Sequence, residues 1–164
     1  MGISLPGELS SLLSILGYNW PQGDETKLFE LGQKLMDFSG KLQNILGEAD
    51  SAAAQAWKEN VGRDIQAFQN HWSNNDGPSK ILSDASTAGQ VVGAGMMIVA
   101  GILLVLKINV ISQLVILAIQ IAQAIAMAAV TFGASLAEIP IFQQISRAIV
   151  GKLIDMVIAK LLEA

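Results

Sequence analysis

Hydrophobic positions in the first half of the chain repeat with the spacing of an amphipathic helix. Between residues 28 and 56 they fall at alternating steps of three and four, a heptad pattern sustained over four repeats. The pattern predicts one long helix that packs along its length against another helix. We define its larger members as the packing seam: Leu28, Leu31, Leu35, Phe38, Leu42 and Ile45.

Signals at both ends of this helix predict a hairpin. Asp24 precedes it, and its carboxylate can accept a backbone N–H that has no partner within the helix. After Trp57, Gly62 marks a turn, and apolar residues continue at helical spacing as far as Trp72. We therefore expect residues 24–76 to form two antiparallel helices.

A third segment is apolar on nearly all sides. Pro78 can occupy the first position of a new helix, and residues 91–106 are sixteen consecutive apolar residues. We predict a long apolar helical segment over residues 78–131, formed either by one helix or by two helices joined by a kink near Lys107 and Asn109.

The remaining segments are also helical in pattern. A short apolar helix is predicted over residues 6–16, a loop over residues 131–140, and an amphipathic helix over residues 140–163. The sequence thus predicts an all-α fold, an elongated bundle built on an antiparallel hairpin, with a long apolar helix and a C-terminal amphipathic helix. At 164 residues, a single domain (residues 1–164) is expected.

Four polar residues interrupt the second part of the apolar segment at steps of four, seven and three. They form one polar stripe: Asn109, Gln113, Gln120 and Gln123. A soluble bundle would turn this stripe to water or to a neighbour's amides, whereas a membrane hairpin or pore would turn it inward. The apolar run before it is shorter than the roughly 20 residues that cross a bilayer core, which favours the soluble bundle. In the same segment, Gly89 and Gly93 have the spacing found where helices touch closely.

Charge and composition exclude several functions. Only Lys107 is charged between Asp84 and Glu138. The net charge of -4 and the absence of clustered Lys and Arg argue against nucleic-acid binding. The chain has no cysteine, which excludes disulfides, zinc fingers and thiol nucleophiles.

No grouping of residues indicates an active site. His71 is the only histidine, and no nucleophile or orienting group is spaced to work with it. The pairs Asp24 with Glu25 and Glu48 with Asp50 point away from each other on a helix, so we interpret them as solvated faces. The glycines lack phosphate-loop spacing. We predict no enzymatic activity, no metal and no cofactor.

The hairpin resembles the Trp-x-Gly helical-hairpin family of type VII secretion substrates. The resemblance lies in the Ala-Trp turn at Trp57, the later Gly62, the Ala-Phe pair at Phe68 and a second tryptophan, Trp72. The wider chain, from LPGELSSLLSILGYNWPQGDE to TFGASLAEIPI, is similar to the N-terminal domains of large actinobacterial polymorphic toxins. The resemblance implies a non-enzymatic targeting domain in which these four residues form the turn and the docking features.

Two departures from the family pattern bear on export. Glu59 stands where a strict Trp-x-Gly motif has glycine, and the only tyrosine, Tyr18, does not begin a Tyr-x-x-x-Asp/Glu signal. The resemblance then implies that a partner supplies export recognition, either a small helical protein of the same family or a component of the secretion machinery. Because the N-terminus lacks the pattern of a signal peptide, we expect a secreted or cell-surface protein that uses a signal-peptide-independent route. A toxin cargo is expected beyond Ala164.

Two further hypotheses stay open from the residues. Residues 88–130 could form a hairpin that inserts into a membrane or makes a pore, or the chain could be a homo-oligomer with the polar stripe at the subunit contact. Trp57 and Trp72 are expected to lie about four helical turns apart and to need separate pockets. Residues 80–160 or a partner helix would have to cover them.

Overall fold

The computed structural model describes residues 2–163, and all regular secondary structure in that range is helical. The elements are α1 (Gly7–Ile15), α2 (Glu25–Glu59), α3 (Arg63–Ser73), α4 (Pro78–Met127), a 3-10 helix (Ala134–Glu138) and α5 (Ile139–Glu163). The predicted all-α helical fold is confirmed, and the long apolar helix and the C-terminal helix lie close to their predicted bounds.

Helices α2, α3 and α4 begin where the sequence signals them. The Lys27 backbone N–H donates to Asp24 Oδ1 at 3.0 Å, and this hydrogen bond holds the pKa of Asp24 below its ordinary value. Gly62 precedes α3 with φ at +148°, a backbone conformation that favours glycine. Helix α4 starts at Pro78.

Helix α4 runs without interruption for 50 residues. The helix is not broken at Lys107 or Asn109, so the single-helix form of the prediction is the one observed. The hypothesis that residues 88–130 form a hairpin is wrong, because the helix continues to Met127 before the chain turns. Within Arg63–Met127, one helix is long and apolar enough to cross a membrane, judged by length and composition alone.

The chain divides into two compact units. Unit 1 contains the residues up to Lys27 and those from Ile98 onward, and unit 2 contains Leu28–Met97. Helices α2 and α4 each contribute residues to both units.

Small residues bring α2 and α4 close together in unit 2. A methyl group added at Gly93 would lie 2.7 Å from Met36 Cγ and 2.8 Å from the Gly32 carbonyl oxygen, and one added at Gly89 would overlap the Ser39 hydroxyl. Both glycines are therefore part of a close helix crossing, as their spacing suggested.

A hydrogen bond fixes the register of this crossing. The Ser86 hydroxyl donates to the Ser39 carbonyl oxygen at 2.9 Å, and both serines are fully buried. The Ser39 hydroxyl donates to the Leu35 carbonyl oxygen within α2. Since residues 32 and 39 approach residues 93 and 86 respectively, α4 is antiparallel to α2 in this unit.

The core of unit 1 is aliphatic and is formed by α1, the second half of α4 and α5. Its buried members are Leu13, Leu16, Leu106, Val110, Leu114, Leu117 and Val150. Tyr18 and Trp20 pack against this core from the segment that follows α1. The burial of these side chains holds the N-terminal segment on α4.

A buried ion pair lies beside this core. Lys107 Nζ is 2.6 Å from Glu25 Oε2 and donates to the carbonyl oxygens of Gly23 at 2.6 Å and Ile3 at 3.2 Å. It also lies 5.7 Å from the centroid of the Trp20 ring, at cation–π distance. Because these groups replace the water that the ammonium group loses, the lysine can be buried inside an apolar helix surface.

The same contacts determine the charge of Glu25. Burial raises the pKa of Glu25, but hydrogen bonds from Lys107 Nζ and the Ile3 backbone N–H outweigh burial, so that its pKa lies below the ordinary value. Glu25 is thus not the solvated residue that the sequence interpretation assumed. It is buried, and its partner is 82 residues away in the chain.

We predict that Gly93→Ala destabilises the protein. The added methyl group would meet backbone and side-chain atoms of α2, and overpacking of this kind costs about 1–3 kcal/mol. Urea unfolding followed by circular dichroism measures the change.

The matched control is Gly95→Ala on the same helix, where nothing lies within 4 Å of an added methyl group. It should stabilise the protein by up to about 1 kcal/mol, because alanine favours helix over glycine. Equal effects of the two substitutions would contradict the close crossing.

We predict that Lys107→Met lowers the free energy of unfolding by about 3–5 kcal/mol at neutral pH, because it leaves Glu25 charged and buried without its cation. The lowered pKa of Glu25 means that the pair's contribution is complete above the ordinary value of 4.5 and is lost as the pH falls through the lowered value. The deficit of the variant should therefore shrink in acid. Urea unfolding at neutral pH and well below pH 4.5 tests both statements.

Lys152→Met removes an exposed lysine from α5 and serves as the control, with an expected effect within about 0.5 kcal/mol. The double variant Glu25→Gln with Lys107→Met should recover most of the lost stability. A Lys107→Met deficit that does not change with pH would refute the role given to the ion pair.

Candidate functional site

Helix α3 folds back along the end of α2 and forms the predicted hairpin. The Trp72 indole N–H donates to Asp50 Oδ1 at 2.7 Å, and the Phe68 ring centroid lies 5.8 Å from that of Trp57. Later residues of α3 thus meet earlier residues of α2, which makes the two helices antiparallel.

The two tryptophans lie along one continuous row of aromatic rings. Phe68 stands between them, with its centroid 6.1 Å from that of Trp72. Both tryptophans are half-buried and line one groove of about 460 Å³, together with Leu46, Asp50, Ser73, Ser79, Lys80 and Ser83. We call Trp57, Phe68 and Trp72 the aromatic row.

The prediction that these tryptophans need separate pockets is wrong. It counted the fifteen positions from Trp57 to Trp72 as helix along one arm, but α3 begins only at Arg63 and Trp57 lies within α2. The axial separation of the rings is therefore shorter than four turns, and Phe68 bridges it. The turn itself is formed by residues 60–62 rather than by Trp57.

Burial alternates along the packing seam. Leu28, Leu35 and Leu42 are half-buried, whereas Leu31, Phe38 and Ile45 are more than half exposed. Between these positions, α2 buries Gly32, Ser39 and Ala53 and half-buries Leu46. Each of these four residues lies one position after a residue of the predicted heptad pattern. The small residues Gly32 and Ser39 allow α4 to approach, which bulky side chains at these two positions would prevent.

This register leaves an apolar stripe on α2 exposed. Leu31, Phe38 and Ile45 are 54%, 55% and 55% exposed and lie seven residues apart, on one face of the helix. We call these three residues the exposed α2 stripe. A shallow groove of about 340 Å³ runs beside it and is lined by Leu31, Lys34, Leu35, Phe38 and Met96. The stripe has the heptad spacing with which one helix packs against another.

The polar stripe of α4 does not form one uniform surface. Gln113 donates to the Ser146 hydroxyl of α5 at 3.0 Å, and Gln120 is half-buried, whereas Gln123 is exposed. Asn109 lines an apolar groove of about 300 Å³ between α4 and α5. One residue of the stripe thus helps to join the two helices of unit 1.

The structure also brings together residues that the sequence interpretation missed. Asp50 was interpreted as part of a solvated face, but its carboxylate accepts the Trp72 hydrogen bond. Ala49 belongs to the apolar heptad pattern of α2, and Asp50 directly follows it. This spacing was a signal that Asp50 lies at the edge of the packed face of the helix. Among residues 2–163, no group of three acidic or histidine side chains is placed to hold a metal ion.

The comparison with known proteins identifies the family. The sequence model described as WXG100 like domain matches residues 6–149. Domains of this family are non-enzymatic helical proteins related to type VII secretion, and they usually act there as partners of other proteins. Neither a curated protein nor a solved structure shows significant similarity to the chain. Because the match spans most of the chain, which folds as helices throughout, the protein belongs to the WXG100-like domain family.

Proposed function

We propose that the chain is a non-enzymatic targeting and interaction domain at the N-terminal end of a type VII secreted polymorphic toxin. Its membership of the WXG100-like family supports a role in that secretion route. The observation that carries the docking function is the exposed α2 stripe, an apolar heptad face that the chain itself leaves uncovered.

The geometry of the stripe suits a helical partner. Leu31, Phe38 and Ile45 extend over fifteen residues of α2, and the fourteen helical steps between the first and the last span about 21 Å. Side chains repeating every seven residues can insert between those of a neighbouring helix, and the groove beside Phe38 offers space for them. The partner is a small helical protein of the same family or a component of the secretion machinery.

The aromatic row has a second part in this function. It fixes α3 against the end of α2 through ring contacts and the bond from Trp72 to Asp50. Phe68 is 39% exposed, so the row also presents apolar surface near the turn at Gly62. The proposed docking site therefore consists of the aromatic row, this turn and the exposed α2 stripe.

We predict that Trp57→Ala abolishes type VII export of a fused reporter while leaving the helical content largely intact. The substitution removes one ring of the row, whereas α2 itself is held by α4 through residues distant from Trp57. Phe38→Asp should also abolish export, because a charge on the exposed α2 stripe opposes helix docking. Reporter secretion and far-ultraviolet circular dichroism are the measurements.

Gln43→Asp is the matched control, since it introduces the same charge at an exposed position of the same helix. It should export normally. Unchanged export of both Trp57→Ala and Phe38→Asp would refute the docking function.

A second candidate function is membrane association through α4. The observation that favours it is that the most apolar 18-residue window in Arg63–Met127 has a mean hydropathy of 2.5 and is only 28% buried. Soluble proteins bury most of such a helix, so an exposed apolar helix of this length suits contact with lipid.

This second function predicts that the purified chain floats with phosphatidylcholine vesicles in a density gradient without detergent. Pore formation would in addition release an entrapped dye. A monodisperse chain that neither floats nor releases dye would contradict the membrane function while leaving the docking function intact.

A further inference from the structure

The turn between α4 and α5 presents an aromatic side chain entirely to solvent. Phe132 is 100% exposed and has φ at +53°, in the left-handed region that residues other than glycine seldom adopt. Its neighbour Val130 is 71% exposed. Phe132 is thus a large apolar residue that points outward in a strained conformation. The stability of the fold does not account for this placement.

Hydrogen bonds hold this turn in place. The Thr131 hydroxyl donates to the Met127 carbonyl oxygen at 3.0 Å, and the Ser135 backbone N–H donates to the Thr131 hydroxyl oxygen at 3.2 Å. The buried Ser135 hydroxyl donates to the Ala124 carbonyl oxygen at 2.7 Å. The turn is thus closed by its own polar groups while its apolar side chains point outward.

Apolar residues on both sides extend the exposed surface of the turn. We define the apolar tip as five exposed residues of this region: Ile125, Met127, Val130, Phe132 and Leu136. No charged residue occurs between Lys107 and Glu138. The rim of a protein docking site is usually polar, whereas this tip has the character that the acyl-chain boundary of a bilayer accepts.

We propose that the apolar tip inserts into a lipid bilayer at the boundary between headgroups and acyl chains. This inference rests on the membrane function proposed above and names the surface that makes the contact. The Thr131 and Ser135 hydroxyls already donate to carbonyl oxygens at the end of α4, so insertion would leave neither of them unpaired.

The absence of charged residues from the apolar tip indicates which class of lipid it contacts. The nearest charged residue in the chain after the tip is Glu138, an acid, and no lysine or arginine lies within the tip. Anionic headgroups would gain no attraction there. The occupant is therefore a zwitterionic bilayer, held by apolar burial and not by ionic contacts.

The test uses the absence of cysteine from the chain, which allows one dye to be placed at a chosen site. Phe132→Cys carries an environment-sensitive fluorophore, and Val61→Cys is the matched control at the α2–α3 turn, where Val61 is 97% exposed. With phosphatidylcholine vesicles, the dye at position 132 should shift to the blue and be quenched by shallow spin-labelled lipids. The dye at position 61 should not change.

Substitutions separate insertion from folding. Phe132→Gly fits the positive φ, so it should keep or raise the thermal midpoint while weakening vesicle partition at least about tenfold. Phe132→Asp should weaken partition at least as much, and Val61→Asp should leave it unchanged.

The experiments distinguish failure of the tip inference from failure of the membrane function. Vesicle binding that survives both substitutions of Phe132, or equal dye shifts at positions 61 and 132, would overturn the tip inference while leaving the membrane function in place. A requirement for anionic lipid would also overturn it. No binding by the unaltered chain would remove both.

Discussion

The fold of unit 1 depends on how one lysine is accommodated in a stretch of α4 that has no other charged residue. Lys107 is the only charged residue between residues 85 and 137, and it faces the core rather than water. An ammonium group without a partner would be too costly to bury there. The chain supplies a carboxylate from Glu25 and carbonyl oxygens from Ile3 and Gly23, so the start of α2 and the segment before it must lie against this point of α4. We infer that the pair sets the register of these segments, since buried ion pairs contribute more to specificity than to net stability in some proteins.

The close crossing of α2 and α4 in unit 2 depends on small residues and not on an ion pair. Helix α4 lies close to α2 because Gly32, Gly89 and Gly93 have no side chains that would separate them. The crossing therefore uses small residues of α2 and leaves the larger Leu31, Phe38 and Ile45 exposed to solvent. A helix that buried its bulky face would have no apolar stripe left for a partner. Because α2 packs against α4 through small residues, the exposed α2 stripe is available for contact with a partner.

These two features mark the limit of what the sequence could predict. Periodicity predicted the helices, and local signals at Asp24, Gly62 and Pro78 predicted where α2, α3 and α4 begin, because each depends on neighbouring residues. The register of α2 was predicted one position off at half of its contacts. A hydrophobic pattern gives weight to Leu31 and Phe38 and none to glycine or serine, although Gly32 and Ser39 are the residues that α4 contacts.

Pairing over a long distance was also beyond the sequence. Glu25 stands in the first turn of α2, where an acid has the sufficient local explanation of favouring the helix dipole. Nothing near it in the chain indicates Lys107, 82 residues later. The same holds for Asp50 and Trp72, which meet because α3 folds back along the end of α2. In each case the sequence did not indicate which faces of the two helices meet. The choice of faces depends on all the contacts of the fold together.

The ion pair also limits how deeply unit 1 could enter a membrane. Residues 108–127 of α4 span about 30 Å, close to the thickness of a bilayer core, so full insertion would bring Lys107 to its edge. That position would require Lys107 to leave Glu25, or the N-terminal segment and α1 to enter the lipid with it, together with Glu25. Arg147, Lys152 and Asp155 on α5 would have to enter as well if the two helices stayed together. Contact through the apolar tip alone requires none of these changes, since the tip lies at the opposite end of that α4 segment from Lys107. Shallow insertion through the apolar tip would thus keep the buried ion pair, whereas a transmembrane position of this part of α4 would disturb it.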